Sequence, residues 1–137
     1  MSAERFFLDT VFIQASLNRA DQYHAKAVAL ASRVRDAAAV LTTEAILTET
    51  ANALSTINRA GVVRFIEQAY RTSNIQIVSI DTPLFQRALH LYGSRPDKQW
   101  GLTDCISFVV MQDQNLRDAL TADKHFIQAG FQAMLSI

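Results

Sequence analysis

The chain predicts an α/β fold, a three-layer α/β/α sandwich around a central, mainly parallel sheet. Three observations lead there. Four short apolar runs each stop at a carboxylate or a threonine pair: Arg5-Phe6-Phe7-Leu8-Asp9-Thr10, Ala39-Val40-Leu41-Thr42-Thr43, Ile77-Val78-Ser79-Ile80-Asp81-Thr82 and Ala119-Leu120-Thr121-Ala122-Asp123. Such runs read as buried parallel strands. The segments between them carry apolar residues at helical spacing, and alternating strands and helices call for one sheet covered on both faces. Half of the residues are hydrophobic, with only four glycines and two prolines in 137, so residues 1–137 are expected to form a single domain without a linker.

The elements follow in order. After the first strand, residues 11–17 read as a short helix and residues 24–34 as a longer one, in which Val28, Leu30 and Val34 can pack. The second strand ends at Leu41. From Glu44 to about Asn58, the positions Ile46, Leu47, Thr50, Leu54 and Ile57 form one stripe, and Gly61 is expected to stop that helix. Residues 62–71 give another helix with Val63, Ile66 and Tyr70 inward, and residues 75–80 the third strand. Asp81-Thr82-Pro83 has the form of a cap with proline in the first helical turn, opening a helix that runs to about Tyr92. Residues 93–101 are a loop. The helix of residues 104–113 is apolar nearly all round and is expected to be buried on several sides. A fourth strand (119–121), a short helix (124–128) and a last strand (132–135) complete the chain.

Bulk composition removes several classes of function. Thirteen basic residues balance thirteen acidic ones, so the chain is no polybasic nucleic-acid binder, and any phosphate contact has to be local. Cys105 is the only cysteine, which excludes an intramolecular disulfide and a cysteine zinc site. The apolar run at Phe6 is too short for a signal peptide, and residues 105–111 fall far below the roughly 20 residues of a membrane span. A soluble, cytoplasmic protein without a membrane partner is expected.

Carboxyl ends of parallel strands are where an open α/β sheet builds its ligand site. Acids gathered at that edge would repel one another, and a divalent cation would relieve them. Asp9 directly follows the first strand, as well placed to cap a helix as to bind a ligand. Glu49 lies beside the apolar stripe of its helix, in the second turn. Glu44 is about 140° further round at ~100° per residue, so the two are not expected to serve one site. Because Glu44 occupies the first turn, where a carboxylate favours the helix dipole, it takes the structural role and Glu49 the chemical one. Asp104 either neutralises the start of the buried helix, with Thr103 as N-cap, or binds a ligand, and Asp123 has the same two readings. Asp81 is a cap. The histidines show no metal spacing, no nucleophile elbow or glycine-rich phosphate loop exists, and Trp100 is expected to pack beside the site.

With Asp9, Glu49, Asp104 and Asp123 in this order, the chain resembles the PIN-domain family, and in particular its small single-domain members, the VapC-type toxins. The matching stretches are Phe7-Leu-Asp9-Thr10, residues 41–54 around Glu49, Trp100-Gly-Leu-Thr-Asp104-Cys-Ile-Ser-Phe108, and Leu120-Thr-Ala-Asp123-Lys-His-Phe126 with Gly130-Phe131. The resemblance covers nearly the whole chain. It implies a metal-dependent endoribonuclease, with Asp9 and Asp104 as main metal ligands, Glu49 as third acid, Asp123 as a more peripheral fourth, and Thr10 and Thr121 orienting them. Gly101 stands where close relatives often carry serine. The resemblance also implies a homodimer and an antitoxin protein partner.

Chemistry points the same way. Hard carboxylate oxygens without a thiol suit Mg2+ or Mn2+, and such an ion acidifies water, neutralises phosphate oxygens and steadies a leaving oxygen. Phosphodiester hydrolysis is the expected reaction, with RNA as the substrate that the resemblance implies. Arg95, Lys98 and Lys124 are candidates to border the pocket, and an unpaired loop is the expected form of the RNA target. Two alternatives stand beside this: a PIN-like binding or scaffold protein without nuclease activity, and a receiver-like phosphoacceptor domain. The latter fits less well, because Asp9 is unpaired and Glu49 lies inside a helix.

Overall fold

A computed structural model describes residues 2–137. It contains β1 (Arg5–Leu8), α1 (Thr10–Leu17), α2 (His24–Asp36), β2 (Ala39–Thr43), α3 (Glu44–Ala53), α4 (Arg59–Arg71), β3 (Ile75–Val78), α5 (Thr82–Ser94), α6 (Leu102–Asp113), β4 (Asp118–Leu120), α7 (Lys124–Gln128) and β5 (Gln132–Ala133), followed by a 3-10 turn (Met134–Ser136). The strands form one sheet in the order β3-β2-β1-β4-β5, and every pairing is parallel. Parallel crossovers are right-handed, so connections stepping outward from β1 to β3 and those stepping back to β4 and β5 lay their helices on opposite faces. The three-layer α/β/α expectation is met.

The sheet interior is the apolar runs themselves. Phe6, Phe7, Val40, Leu41, Ala119 and Leu120 are all buried. Residues Cys105 to Met111 of α6 are buried without interruption, as expected of a helix apolar all round. Phe108 meets Trp100 and Phe126 edge-on, each at 5.0 Å between ring centroids. That cluster ties α6 and α7 to the sheet.

Several boundaries differ from those the sequence suggests. β2 runs on to Thr43, pairing Thr42 with Ile77 and Thr43 with Val78. Both threonines are buried and both hydroxyls are used: Thr42 donates to the Leu8 carbonyl at 2.9 Å, and Thr43 accepts from the Ile46 amide at 3.1 Å as the N-cap of α3. β3 stops at Val78. α3 ends at Ala53, well short of Asn58, because Asn58 caps the next helix and its side chain accepts from the Gly61 amide at 3.1 Å. Gly61 therefore lies in the first turn of α4 and does not terminate α3.

The face assigned to α4 is also corrected. Val63 is 51% exposed and Tyr70 60%, while Val62 and Ala69 are buried and Phe65 and Ile66 are partly covered. The inward stripe is 62, 65, 66, 69, one residue out of phase at its start with the one expected. Val28 likewise faces out of α2. α6 begins at Leu102 with Gly101 at its N-cap position, so Asp104 is the third helical residue and Thr103 is not the cap. The cap reading of Asp81 agrees with the structure: its carboxylate accepts from the Leu84 amide at 2.9 Å, with Pro83 in the first turn.

Candidate active site

The strand order reverses direction between β1 and β4. β1 leads outward through β2 to β3, and the chain then returns to the other side of β1. A crevice opens outside the carboxyl ends of the two strands at such a switch point. Asp9 follows β1 there, and Thr121 and Asp123 follow β4.

Asp9 occupies the N-cap position of α1, yet its side chain makes no cap hydrogen bond. Its Oδ2 instead accepts from the Thr121 hydroxyl at 2.7 Å. Only 4% of the residue is exposed. Burial is the main force pushing its carboxyl up to about 7; hydrogen bonds from Thr121 and from the Thr10 backbone oppose it, and the charges of Asp104 and Glu49 add to it. Burial thus favours the neutral form of this carboxyl, and a nearby positive charge would favour its ionised form.

Thr121 holds a second acid as well. Its oxygen accepts from the backbone amide of Asp123 at 3.0 Å. Asp123 in turn caps α7, its Oδ1 accepting from the His125 amide at 2.9 Å. Asp104 comes in from the opposite wall, where its Oδ2 accepts from the Gly101 amide at 3.0 Å and from His125 Nδ1 at 3.1 Å. Burial raises the Asp104 carboxyl, the charge of Asp123 raises it further, and the bonds from Gly101 and His125 hold it back. One oxygen or nitrogen from each of Asp104, Asp123 and His125 lies within 4.8 Å of the others.

Glu49 is exposed on α3, and its charge reaches Asp9. The charge of Asp104 reaches Asp9 as well, and Thr121 links Asp9 to Asp123, so the four expected acids lie near one end of the sheet. Among the described residues no lysine or arginine pairs with Asp9, Asp104 or Asp123. This donor set, carboxylate oxygens short of positive charge, fits a divalent cation.

A model of the PIN domain family matches residues 6–132. The chain belongs to the PIN domain family. Among solved structures, Mycobacterium tuberculosis VapC20, described as a sarcin-ricin loop cleaving toxin, matches with a TM-score of 0.83 at 23% identity, over 92% of this chain and 95% of that one. At that identity the likeness concerns the fold. No curated protein matches.

Within this PIN domain the two acids of α3 also share a surface. Glu44 and Glu49 both line a cleft of about 480 Å³ between α3 and the start of α6, together with Thr48, Asn52, Phe85 and Thr103. Asp9, Asp104 and Asp123 are not among the residues lining that cleft. Glu44 still has a structural bond, since it accepts from the Ile80 amide at 3.4 Å. Thr121 orients Asp9 as expected. The Thr10 side chain turns instead to the Ile46 carbonyl at 3.5 Å, and only its backbone serves Asp9. Trp100 packs, donating to Gln128 Oε1 at 3.1 Å, and Arg95 lies over its ring while pairing with Asp97.

His125, which the sequence does not mark as a ligand, is hydrogen-bonded to Asp104 at the site. Its spacing to other histidines carries no signal. Its side-chain bond to Asp104 spans 21 positions, so no local pattern in the sequence signals it.

Proposed function

We propose that this PIN domain is a Mg2+- or Mn2+-dependent endoribonuclease, the toxin of a type II toxin-antitoxin pair. The observation that carries the reading is Asp9: a buried carboxylate pushed to about 7, beside Asp104 and Glu49, at the switch point of the sheet. Asp9 and Asp104 would hold the cation, with Glu49 and Asp123 completing the acidic rim. A divalent cation supplies an acidified water and a charge that offsets the phosphodiester's.

The chain's own residues do the positioning. Thr121 fixes Asp9 through Oδ2 and Asp123 through its backbone, so one side chain ties together two acids that follow different strands. Gly101 fixes Asp104 at the head of α6. The neighbour's description as a loop-cleaving toxin supports the same class of activity here.

Two further parts of the proposal concern partners and place. Phe85, Leu89 and Tyr92 repeat at helical spacing on α5 and are 41%, 49% and 48% exposed, a surface suited to a second copy of the chain, with an antitoxin protein as the other partner. No helix among the described residues is long and apolar enough to cross a membrane, which is compatible with action in the cytoplasm.

The test is incubation with total RNA in Mg2+ or Mn2+, beside an Asp9→Asn control and an EDTA control, with the cut ends mapped. Discrete ends that need both Asp9 and metal are expected. Metal binding without cleavage would favour a scaffold, and full activity in EDTA would rule out the carboxylate site.

A further inference from the structure

His125 sits between two acids that belong to different parts of the chain. Its Nδ1 is 3.1 Å from Asp104 Oδ2 and 3.4 Å from Asp123 Oδ1. An ionised carboxylate can only accept, so Nδ1 carries the hydrogen and donates it. The ring is held in that orientation from below, because the backbone amide of His125 donates to Asp123 Oδ1 at 2.9 Å. Only 20% of the His125 side chain is exposed, so water is largely kept from competing for the bond.

The consequence for Asp104 is specific. Its Oδ2 takes both the Gly101 amide and His125 Nδ1, which leaves Oδ1 as the oxygen without a protein donor among the described residues. Gly101 alone would leave the carboxylate able to swing about one bond. Two donors on the same oxygen define which oxygen remains available. Asp123 is arranged in the same way, with Oδ1 engaged by His125. One residue thus engages an oxygen on each of two carboxylates that repel each other.

Resting on the metal-site reading above, we propose that His125 is a positioning residue of this PIN domain, whose Nδ1 hydrogen bond to Asp104, beside its backbone amide bond to Asp123, presets the carboxylates to take up a divalent cation. It acts through the acids and touches neither RNA nor the reacting atoms. Groups that hydrogen-bond a ligating carboxylate typically contribute a factor of about 10–100 in metal affinity or activity.

The test uses three proteins, the parent, His125→Leu and His125→Asn, with Mn2+ alone as the probe and its binding followed by the loss of the free-ion electron paramagnetic resonance signal. Asparagine carries an N–H donor at nearly the position of Nδ1, whereas leucine fills the space without one. His125→Leu is expected to weaken Mn2+ at least about tenfold, and His125→Asn to recover most of that loss, on the scale of such outer interactions. In cleavage assays the leucine variant should regain much of its kcat at saturating Mn2+, with the KM for RNA little changed. Circular dichroism checks that both variants are folded. Equal Mn2+ affinity in the parent and His125→Leu would overturn the proposal, as would an asparagine variant no better than leucine. A parent that binds no Mn2+ would instead overturn the metal-site reading itself, and this inference with it.

Discussion

Asp9 concentrates the chemistry of the molecule in one side chain, and its buried carboxyl leads to a prediction about stability. In metal-free protein its folded value is raised to about 7, while an unfolded Asp titrates near ~3.9. Between these values the folded state holds the extra proton, so stability falls as pH rises. The contribution of neutral Asp9 is complete below the unfolded value and is lost as pH passes through about 7. Asp9→Asn should flatten that dependence and stabilise the metal-free protein at pH 8 by at least about 1 kcal/mol, roughly 3–5 °C in a domain of this size. Thermal unfolding in EDTA from pH 4 to pH 8 would show it. Cleavage by Asp9→Asn and by Asp104→Asn should be abolished, because a neutral amide cannot supply the charge that holds a cation, and near-parental turnover by either folded variant would sink the assignment.

Neighbouring acids should separate by role. Glu49→Gln is expected to impair cleavage severely, since its charge reaches Asp9. Glu44→Gln and Asp81→Asn should keep most activity, because their carboxylates are engaged with the Ile80 and Leu84 amides. Glu44 and Glu49 both line one cleft, and equal losses at the two positions would show that Glu44 belongs to the reacting site as well.

At the scale of elements, the α3–α4 corner depends on one side chain. Asn58 accepts from the Gly61 amide and donates to the Leu17 carbonyl at 3.2 Å, so it caps α4 and ties it to α1. A Cβ on Gly61 would meet the Asn58 side chain at 2.4–2.7 Å. Gly61→Ala should therefore destabilise the protein, although alanine is the better helix former, by about 1–2 kcal/mol as the cap is lost. Denaturant unfolding of Gly61→Ala beside Asn58→Ala would check this: the two should lose similar amounts, and the double variant little more than either. A stabilised Gly61→Ala would mean that the cap relaxes freely.

For the whole molecule, ion binding and assembly are the readouts. Ions that bind only the folded state stabilise it by RT ln(1 + [L]/Kd). Mn2+, Mg2+ and Ca2+ should each raise the unfolding temperature at millimolar concentration, Mn2+ at the lowest, while cleavage follows Mn2+ and Mg2+ alone, because the larger, looser Ca2+ shell positions and acidifies water poorly. A thermal-shift series beside a fluorescent-RNA assay decides it. No shift in the parent with any ion would remove the metal site. Sedimentation should show a dimer for the parent and a monomer for Leu89→Asp, which puts a charge in the middle of the exposed α5 stripe; an unchanged mass would move the interface elsewhere.

Strand runs such as Phe6-Phe7-Leu8 and Ala119-Leu120, the cap at Asp81-Thr82-Pro83 and the all-round apolar character of α6 were legible in the chain, because each rests on neighbours within a few residues. The acids at strand ends were legible for the same reason, and so was the family resemblance they carry. What the linear pattern left undecided depends on contacts between distant segments. Thr42 and Thr43 are strand residues because β3 pairs with them; Val62, not Val63, faces inward because of what lies above α4; Gly61 belongs to a helix because Asn58 claims its amide. His125 meets Asp104 across 21 positions of sequence, and Thr121 meets Asp9 across 112. Those meetings follow from the strand order β3-β2-β1-β4-β5, which sets β1 beside β4. Hydrophobic period is a property of one segment at a time, whereas strand order is settled by the packing of all of them together.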